Sequence, residues 1–281
     1  MSIVNGQTRP DFIIIGSMKS GTTTLYRLLS LHPDIGMSRD KETDFFIETM
    51  NFPRGLQWYS DQFPAGRKVY GEASPNYTKT DDFTGVPARI KAHCPGVKLI
   101  YVVRDPVDRF VSQYRHSWTM GDIAMTPDAL PQTSEYRHIL NVSRYAHQLA
   151  AFRAHFASED ILIVDFDRLT SDPATVVAEV ERFIGVSHHP LPQGGKFNDN
   201  AEISKIPAPI LRFAQSRLGR SLAGLFDREM RDRIRGLLAR GKARQPPPFP
   251  QALRARVRED LRDDVAQFRI ASGMPFETWS L

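Results

Sequence analysis

The sequence predicts an α/β protein: a three-layer fold with a central parallel sheet flanked by helices, continued by a helical C-terminal extension. Three observations carry this. Short runs rich in β-branched residues alternate with longer stretches at helical spacing, the pattern of parallel strands joined by crossover helices. Two of the runs end in polar turns that lead straight into a helix, one marked by Gly16 and Gly21 and the other by Pro106. Hydrophobic residues make up 41% of the 281-residue chain, enough to bury a sizeable core.

Phe12-Ile13-Ile14-Ile15-Gly16 reads as a buried strand. Leu25, Leu28, Leu29 and Leu31 then recur at helical spacing. His32-Pro33 ends that helix, because a residue before proline is biased away from helix. A second strand is expected at Lys68–Glu72 and a third at Val97–Val103. A helix from Pro106 to about Trp118 follows, with proline in its first turn. Another helix, near Ser143–Phe156, precedes a fourth strand at Ile161–Phe166. Ser171-Asp172-Pro173 opens an amphipathic helix that closes near Ile184-Gly185. Pro190–Pro209 reads as a loop, and Arg-rich helical stretches follow it, broken at Pro246-Pro247-Pro248-Phe249-Pro250. One domain over residues 1–281 is expected, with a core at about 10–190 and the later helices packed on the sheet.

Composition excludes several function classes. The 37 Lys+Arg against 32 Asp+Glu leave a net charge of +5, too diffuse to argue for nucleic acid. The single Cys94 forms no intrachain disulfide and no thiolate cluster, and the eight histidines lack metal-ligand spacing, so no metal is expected. The opening MSIVNGQTRPD lacks the apolar core of a signal peptide. No apolar run approaches the roughly 18 residues of a membrane span. These features together suggest a cytoplasmic protein. Arg228–Arg235 mixes both charge signs and reads as a solvated helix face, with an acidic saccharide or a membrane surface as the alternative contact.

The segment Ile15-Gly16-Ser17-Met18-Lys19-Ser20-Gly21-Thr22-Thr23-Thr24 is the most informative. A strand running through a Gly- and hydroxyl-rich turn into a helix makes an anion site, since unpaired amides and the helix dipole both point into the turn. Lys19 adds a mobile charge, and Ser20, Thr22 and Thr23 add hydroxyls. The lysine precedes the second glycine, so this is not the Walker pattern G-x-x-x-x-G-K-[ST], and nothing in it calls for magnesium. The alternative is ordinary helix capping by Ser and Thr. At the third strand end, Val103-Arg104-Asp105-Pro106 repeats the geometry. Ligands of open α/β sheets bind outside the carboxyl ends of strands, where Arg104 can grip a phosphate through two parallel hydrogen bonds. Ser112 lies two helical turns further on. Asp105 and Asp108 read as helix-start charges, and Arg109 as a surface partner. Two anion sites on adjacent strand ends suggest a ligand phosphorylated at two separated places.

GSMKSGTTTLYRLLSLHPDI followed by KLIYVVRDPVDRFVSQY resembles the two signature segments of the sulfotransferases that use 3′-phosphoadenosine 5′-phosphosulfate (PAPS). The branch it is most similar to contains heparan sulfate and bacterial carbohydrate sulfotransferases. KETDFF, LQWYSDQFP, GEASPNY, IVDFDRLTSDP and LRARVREDLRDDVAQFRIASGMPFETW extend the likeness over most of the chain, leaving roughly 190–245 poorly matched. The resemblance implies a P-loop-like fold and in-line transfer of a sulfuryl group to a hydroxyl of a carbohydrate or small metabolite, releasing adenosine 3′,5′-bisphosphate. It implies that Lys19 stabilises the leaving group and that Ser20, Gly21, Thr22 and Thr23 hold the 5′ end. It places Arg104 and Ser112 at the 3′-phosphate and Glu42 as the base that takes the acceptor proton. Without the resemblance, Glu42 pairs with Lys41 or Arg39 on a solvated loop, and Asp44 is the nearest rival as base.

The same resemblance implies an acceptor side that includes Glu72, with Ser74 and Tyr77 in the same segment. His116 and Trp118 either line that pocket or end and pack the helix. Heparan-modifying members commonly carry lysine where this chain has Ala73, which argues against a polyanionic acceptor. Their loop-closing cysteine pair has no counterpart, so only Lys196 and Lys205 stand out as further 3′-phosphate contacts. Two other classes remain open from the residues: a nucleotide-dependent phosphotransferase, and a non-catalytic module that binds polyanions through its Arg-rich half.

Overall fold

A computed structural model describes residues 6–192 and 245–281, together with the backbone of Ile3 and Val4. Two short antiparallel strands, β1 (Ile3–Val4) and β2 (Gln7–Thr8), precede the main sheet. That sheet has five strands: β3 (Phe12–Gly16), β4 (Ile35–Met37), β5 (Val69–Ala73), β6 (Lys98–Val103) and β7 (Ile161–Asp165). They lie in the order β4-β5-β3-β6-β7, and every pairing is parallel.

Alternation of side chains along the central strands splits the core in two. Phe12 and Ile14 of β3 join Ile100 and Val102 of β6 on one face. Helices α1 (Thr22–Leu29) and α8 (Pro173–Ile184) cover that face with Leu25, Leu28, Leu29, Val176, Val177 and Val180. Ile13 and Ile15 join Leu99, Tyr101 and Val103 on the other face. There they meet α3 (Val86–His93), α4 (Pro106–Met120), α6 (Tyr145–Arg153) and α9 (Gln251–Ser272). Gly71 of β5 lies against the Phe12 ring, where a β-carbon would overlap it.

Several boundaries differ from the expected ones, for local reasons. The first helix stops at Leu29, and Leu31 and His32 close turns onto backbone carbonyls before the proline is reached. The sixth helix begins at Tyr145, two residues later than expected, and ends at Arg153. Phe166 opens the short α7 (Phe166–Ser171) instead of ending the fourth strand, because Asp165 caps it by accepting from the Asp167 amide. The edge strand β4, α2 (Gly55–Ser60) and α5 (Ser134–Val142) have no counterpart in the periodicity reading. β4 is three residues with a glycine in the middle, too short to alternate visibly. The prolines at 246–248 precede α9, and Phe249 packs on Phe110 and Tyr114. Lys196, Lys205 and the Arg228–Arg235 run lie outside the described residues.

Candidate active site

The first loop leaves β3 at Gly16. The Ser17 amide donates to the Val102 carbonyl (2.7 Å), which stitches the turn to β6, and the Ser17 and Ser20 hydroxyls share a 2.6 Å hydrogen bond. Lys19 and Gly21 both take left-handed backbone, at φ 70° and 90°. Glycine adopts this freely, whereas a residue with a β-carbon does so at a cost of about 1–2 kcal/mol. The two reversals start α1 at Thr22 with no side chain capping it. Ordinary capping by Ser or Thr is therefore not what this turn is for, since no side chain caps the start of α1. Thr22 is buried and Thr23 exposed. The Lys19 ammonium is pushed below its ordinary range by burial; the Glu42 carboxylate opposes this, while Arg104, Lys41 and Arg109 add to it.

The neighbouring strand end brings Arg104 to the same place. Asp105 caps α4, its Oδ1 accepting from the amides of Val107 and Asp108 (both 2.9 Å), as its expected helix-start role requires. The Arg104 guanidinium lies 4.9 Å from the Phe166 ring centroid and 3.9 Å from the Asp108 carboxylate, which Arg254 also holds at 2.9 Å. Its side chain remains 27% exposed, so a charged fork is presented outward. Ser112 is half-buried on α4, two turns along.

Arg109 corrects the sequence reading. It is not a surface partner but the largest wholly buried side chain among the described residues. Its guanidinium donates to Ser143 Oγ (2.7 Å), to the Ile139 carbonyl (2.6 Å), to Gln113 Oε1 and to the Met18 carbonyl (3.3 Å). Tyr145 makes a second link, since its hydroxyl donates to the Arg104 carbonyl (2.9 Å) and the Ser17 and Ser20 hydroxyls reach it. Phe166 is the third: it stacks under Arg104, and a β-carbon on Gly21 would come within 2.7 Å of its ring. No spacing rule marks these residues, because each joins segments distant in the chain. The usable signal was polar atoms on otherwise apolar stretches of α4 and α6.

Glu42 lies on the loop after β4, exposed and 2.7 Å from Lys41. Its charge is felt by Lys19, Asp44, Lys79 and His116, which places all five groups together. Asp44, at φ 45°, accepts from Asn76 Nδ2 (3.0 Å) through one oxygen, while Oδ1 is buried with no hydrogen-bond partner. Burial raises its carboxyl to about 6. Burial, with help from Lys19, drives the His116 imidazole down to about 4, so it is neutral at pH 7. A cavity of about 270 Å³ includes Lys79 in its wall, with Met18 of the first loop, Gln113, Ser117, Glu135 and His138 among its other lining residues. Lys79 is not singled out by the sequence reading. Glu72, Ser74 and Tyr77 are not on this surface: all three are sealed in the core and hydrogen-bonded to one another. The resemblance implies a place for them near the acceptor; here their side chains are buried and hydrogen-bonded to the loop that carries Glu42.

A family model described as "Sulfotransferase domain" matches residues 9–203. Human heparan sulfate glucosamine 3-O-sulfotransferase 6 is 31% identical over 281 residues, covering 95% of this chain and 73% of that protein. Mouse bifunctional heparan sulfate N-deacetylase/N-sulfotransferase 4 is 32% identical over 200 residues; the match takes in 64% of this chain but spans only 23% of that protein's length. The crystal structure of a sulfotransferase from Alicyclobacillus acidocaldarius aligns at a TM-score of 0.68 and 22% identity, covering 98% of this chain and 100% of that one, a likeness of fold.

Proposed function

This chain belongs to the sulfotransferase family, and from that we propose that it moves a sulfuryl group from PAPS to a hydroxyl of a carbohydrate acceptor. The observation that carries the proposal is the pair of anion-ready strand ends on adjacent strands, with Lys19 close enough to Arg104 to feel its charge. An uncapped helix start, a lysine inside the turn and a half-exposed arginine fork suit a donor with a 5′-phosphosulfate and a 3′-phosphate.

PAPS supplies the sulfuryl group, which leaves its bridging phosphate oxygen as the acceptor oxygen bonds to sulfur. The chain's own residues hold, neutralise and deprotonate. Ser20, Gly21, Thr22 and Thr23 bind the 5′ end, and Arg104 with Ser112 binds the 3′-phosphate. Lys19 balances negative charge that grows on the leaving oxygens. Glu42 takes the acceptor proton, and neutral His116 and Lys79 border the place where that hydroxyl sits. A second reading gives the proton to Asp44, because its buried, unpartnered Oδ1 and raised affinity for a proton suit a base working near neutral pH.

Calorimetry with adenosine 3′,5′-bisphosphate against AMP tests the donor site. Loss of one charged contact is worth about 1.5–3 kcal/mol, or roughly 10–100-fold, so AMP should bind that much more weakly. Equal affinities would remove the 3′-phosphate site from the proposal. Transfer of labelled sulfate from PAPS to a panel of mono- and disaccharides, lipids and phenols, read by mass spectrometry, tests the reaction and its acceptor.

A further inference from the structure

Glu72 is a carboxylate sealed in the core directly beneath the loop that carries Glu42 and Asp44, and the transfer step gives it no task. Its two oxygens accept from four hydroxyls: Oε1 from Tyr59 (2.8 Å) and Tyr77 (2.9 Å), and Oε2 from Ser74 (3.1 Å) and Thr43. An ionised carboxylate offers about four acceptor sites, so this set fills it.

Three of the four hydroxyls then accept from the loop backbone. Ser74 Oγ receives the Asp44 amide (3.1 Å), Thr43 Oγ1 the Phe45 amide (3.4 Å), and the Tyr77 oxygen the Phe46 amide (3.3 Å). Three consecutive loop amides are thus tied, each through one hydroxyl, to a single carboxylate. The direction of these bonds is forced. An amide can only donate, so each hydroxyl must send its own proton elsewhere, and the carboxylate is where all three send it. A glutamine at this position would offer two N–H groups to hydroxyls that already need an acceptor, and the chain of bonds would have to reverse somewhere.

We propose that Glu72 is a positioning residue for sulfuryl transfer: through Thr43, Ser74 and Tyr77 it fixes the backbone of residues 44–46 and so holds Asp44 in place and Glu42 beside Lys19. It acts without touching donor or acceptor, and this role rests on the sulfotransferase reading above.

The test uses the full chain and the variants Glu72→Gln, Thr43→Val and Thr43→Ser. Hydrogen exchange resolved over residues 42–47 should speed up tenfold or more at the 44–46 amides in Glu72→Gln, with β3 and α1 unchanged. Affinity for adenosine 3′,5′-bisphosphate should stay within twofold of the parent. With the saccharide that the acceptor panel identifies, kcat should fall about 100-fold, the cost of misplacing a reacting group by about 1 Å, while KM for PAPS holds. Thr43→Val should reproduce part of the loss and Thr43→Ser should restore it. The effects of Glu72→Gln and Thr43→Val should add to less than their sum when combined.

Parent-like exchange at 44–46 with kcat within twofold overturns the proposal. So does faster exchange throughout β3 and β5 with proportional loss of nucleotide binding, the mark of general core damage. If Glu72→Gln fails to fold, Thr43→Val decides alone: unchanged exchange at Phe45 overturns the inference. A parent protein that transfers no sulfate would overturn the functional reading, and the exchange result would still judge the hydroxyl network by itself.

Discussion

Lys19 carries a conformational cost and an electrostatic one at the same position. Its left-handed backbone favours glycine, and burial beside Arg104 and Arg109 disfavours its charge. Both are tolerable under the proposed role of Lys19 at the leaving group. Lys19→Gly is therefore expected to unfold at a higher temperature than Lys19→Ala, by the equivalent of about 1 kcal/mol, while both lose about 10²–10³ in kcat. Thermal melts and sulfate-transfer rates check the two halves separately. Glu72 makes a pH prediction. Burial raises its carboxyl from the ordinary 4.5 to about 7, against the pull of the Thr43, Tyr59, Tyr77 and Ser74 hydroxyls. The titratable groups facing it are Tyr59 of α2, Tyr77 after β5, Cys94 after α3 and, through Tyr77, Asp44. A raised carboxyl binds its proton more tightly when folded. Its contribution is therefore full below pH 4.5 and is lost as pH rises through about 7. Urea unfolding from pH 4 to 8 should show the parent losing stability relative to Glu72→Gln over that window. His116, lowered to about 4, acts with the opposite sign between 4 and its ordinary 6.5, which is why the comparison must be a difference between two proteins.

Two elements, the first loop and α4, share one set of fastenings. Arg109 holds the Met18 carbonyl to α5 by way of Ile139, and α4 in turn carries Ser112 and His116. Arg109→Lys keeps the charge but not the planar fork, so it leaves several of the four acceptors without a donor. It is expected to cost about 3 kcal/mol in urea unfolding and to weaken nucleotide binding in calorimetry by tenfold or more. Gly21→Ala should damage the same site from the other side, since the added methyl meets Phe166 and the φ of 90° resists a β-carbon. Nucleotide affinity should fall while the urea midpoint moves by no more than about 1–2 kcal/mol. The strand-turn-helix itself was legible because strand, glycine and hydroxyl signals lie within ten consecutive residues. Arg109 was misread for the complementary reason: three of its four partners sit on other segments, the first loop and the end of α5, and a charged residue on a helix looks solvent-facing until those segments arrive.

For the molecule as a whole, α9 is part of the core and not an appendage. Leu253, Val257, Leu261, Val265 and Phe268 are buried along it, and Phe268 meets Tyr101 of β6 and Tyr145 of α6, the residue that links the two anion loops. Removing residues 251–281 should abolish cooperative unfolding in thermal melts, and nucleotide binding with it. The periodicity of β3, β6, α1 and α8 determined a parallel sheet between helices, and the strand-end turns located the two loops proposed to hold the donor. Those conclusions need only local signals, because backbone conformation and side-chain alternation are set within a few residues. Tertiary structure alone decided which charges are spent inside the fold and which face a ligand. Glu72 and Glu42 look alike in the chain, yet one is enclosed by four hydroxyls and the other is exposed beside Lys41. Burial depends on segments remote in sequence, and burial is what separates the enclosed carboxylate from the one that faces solvent.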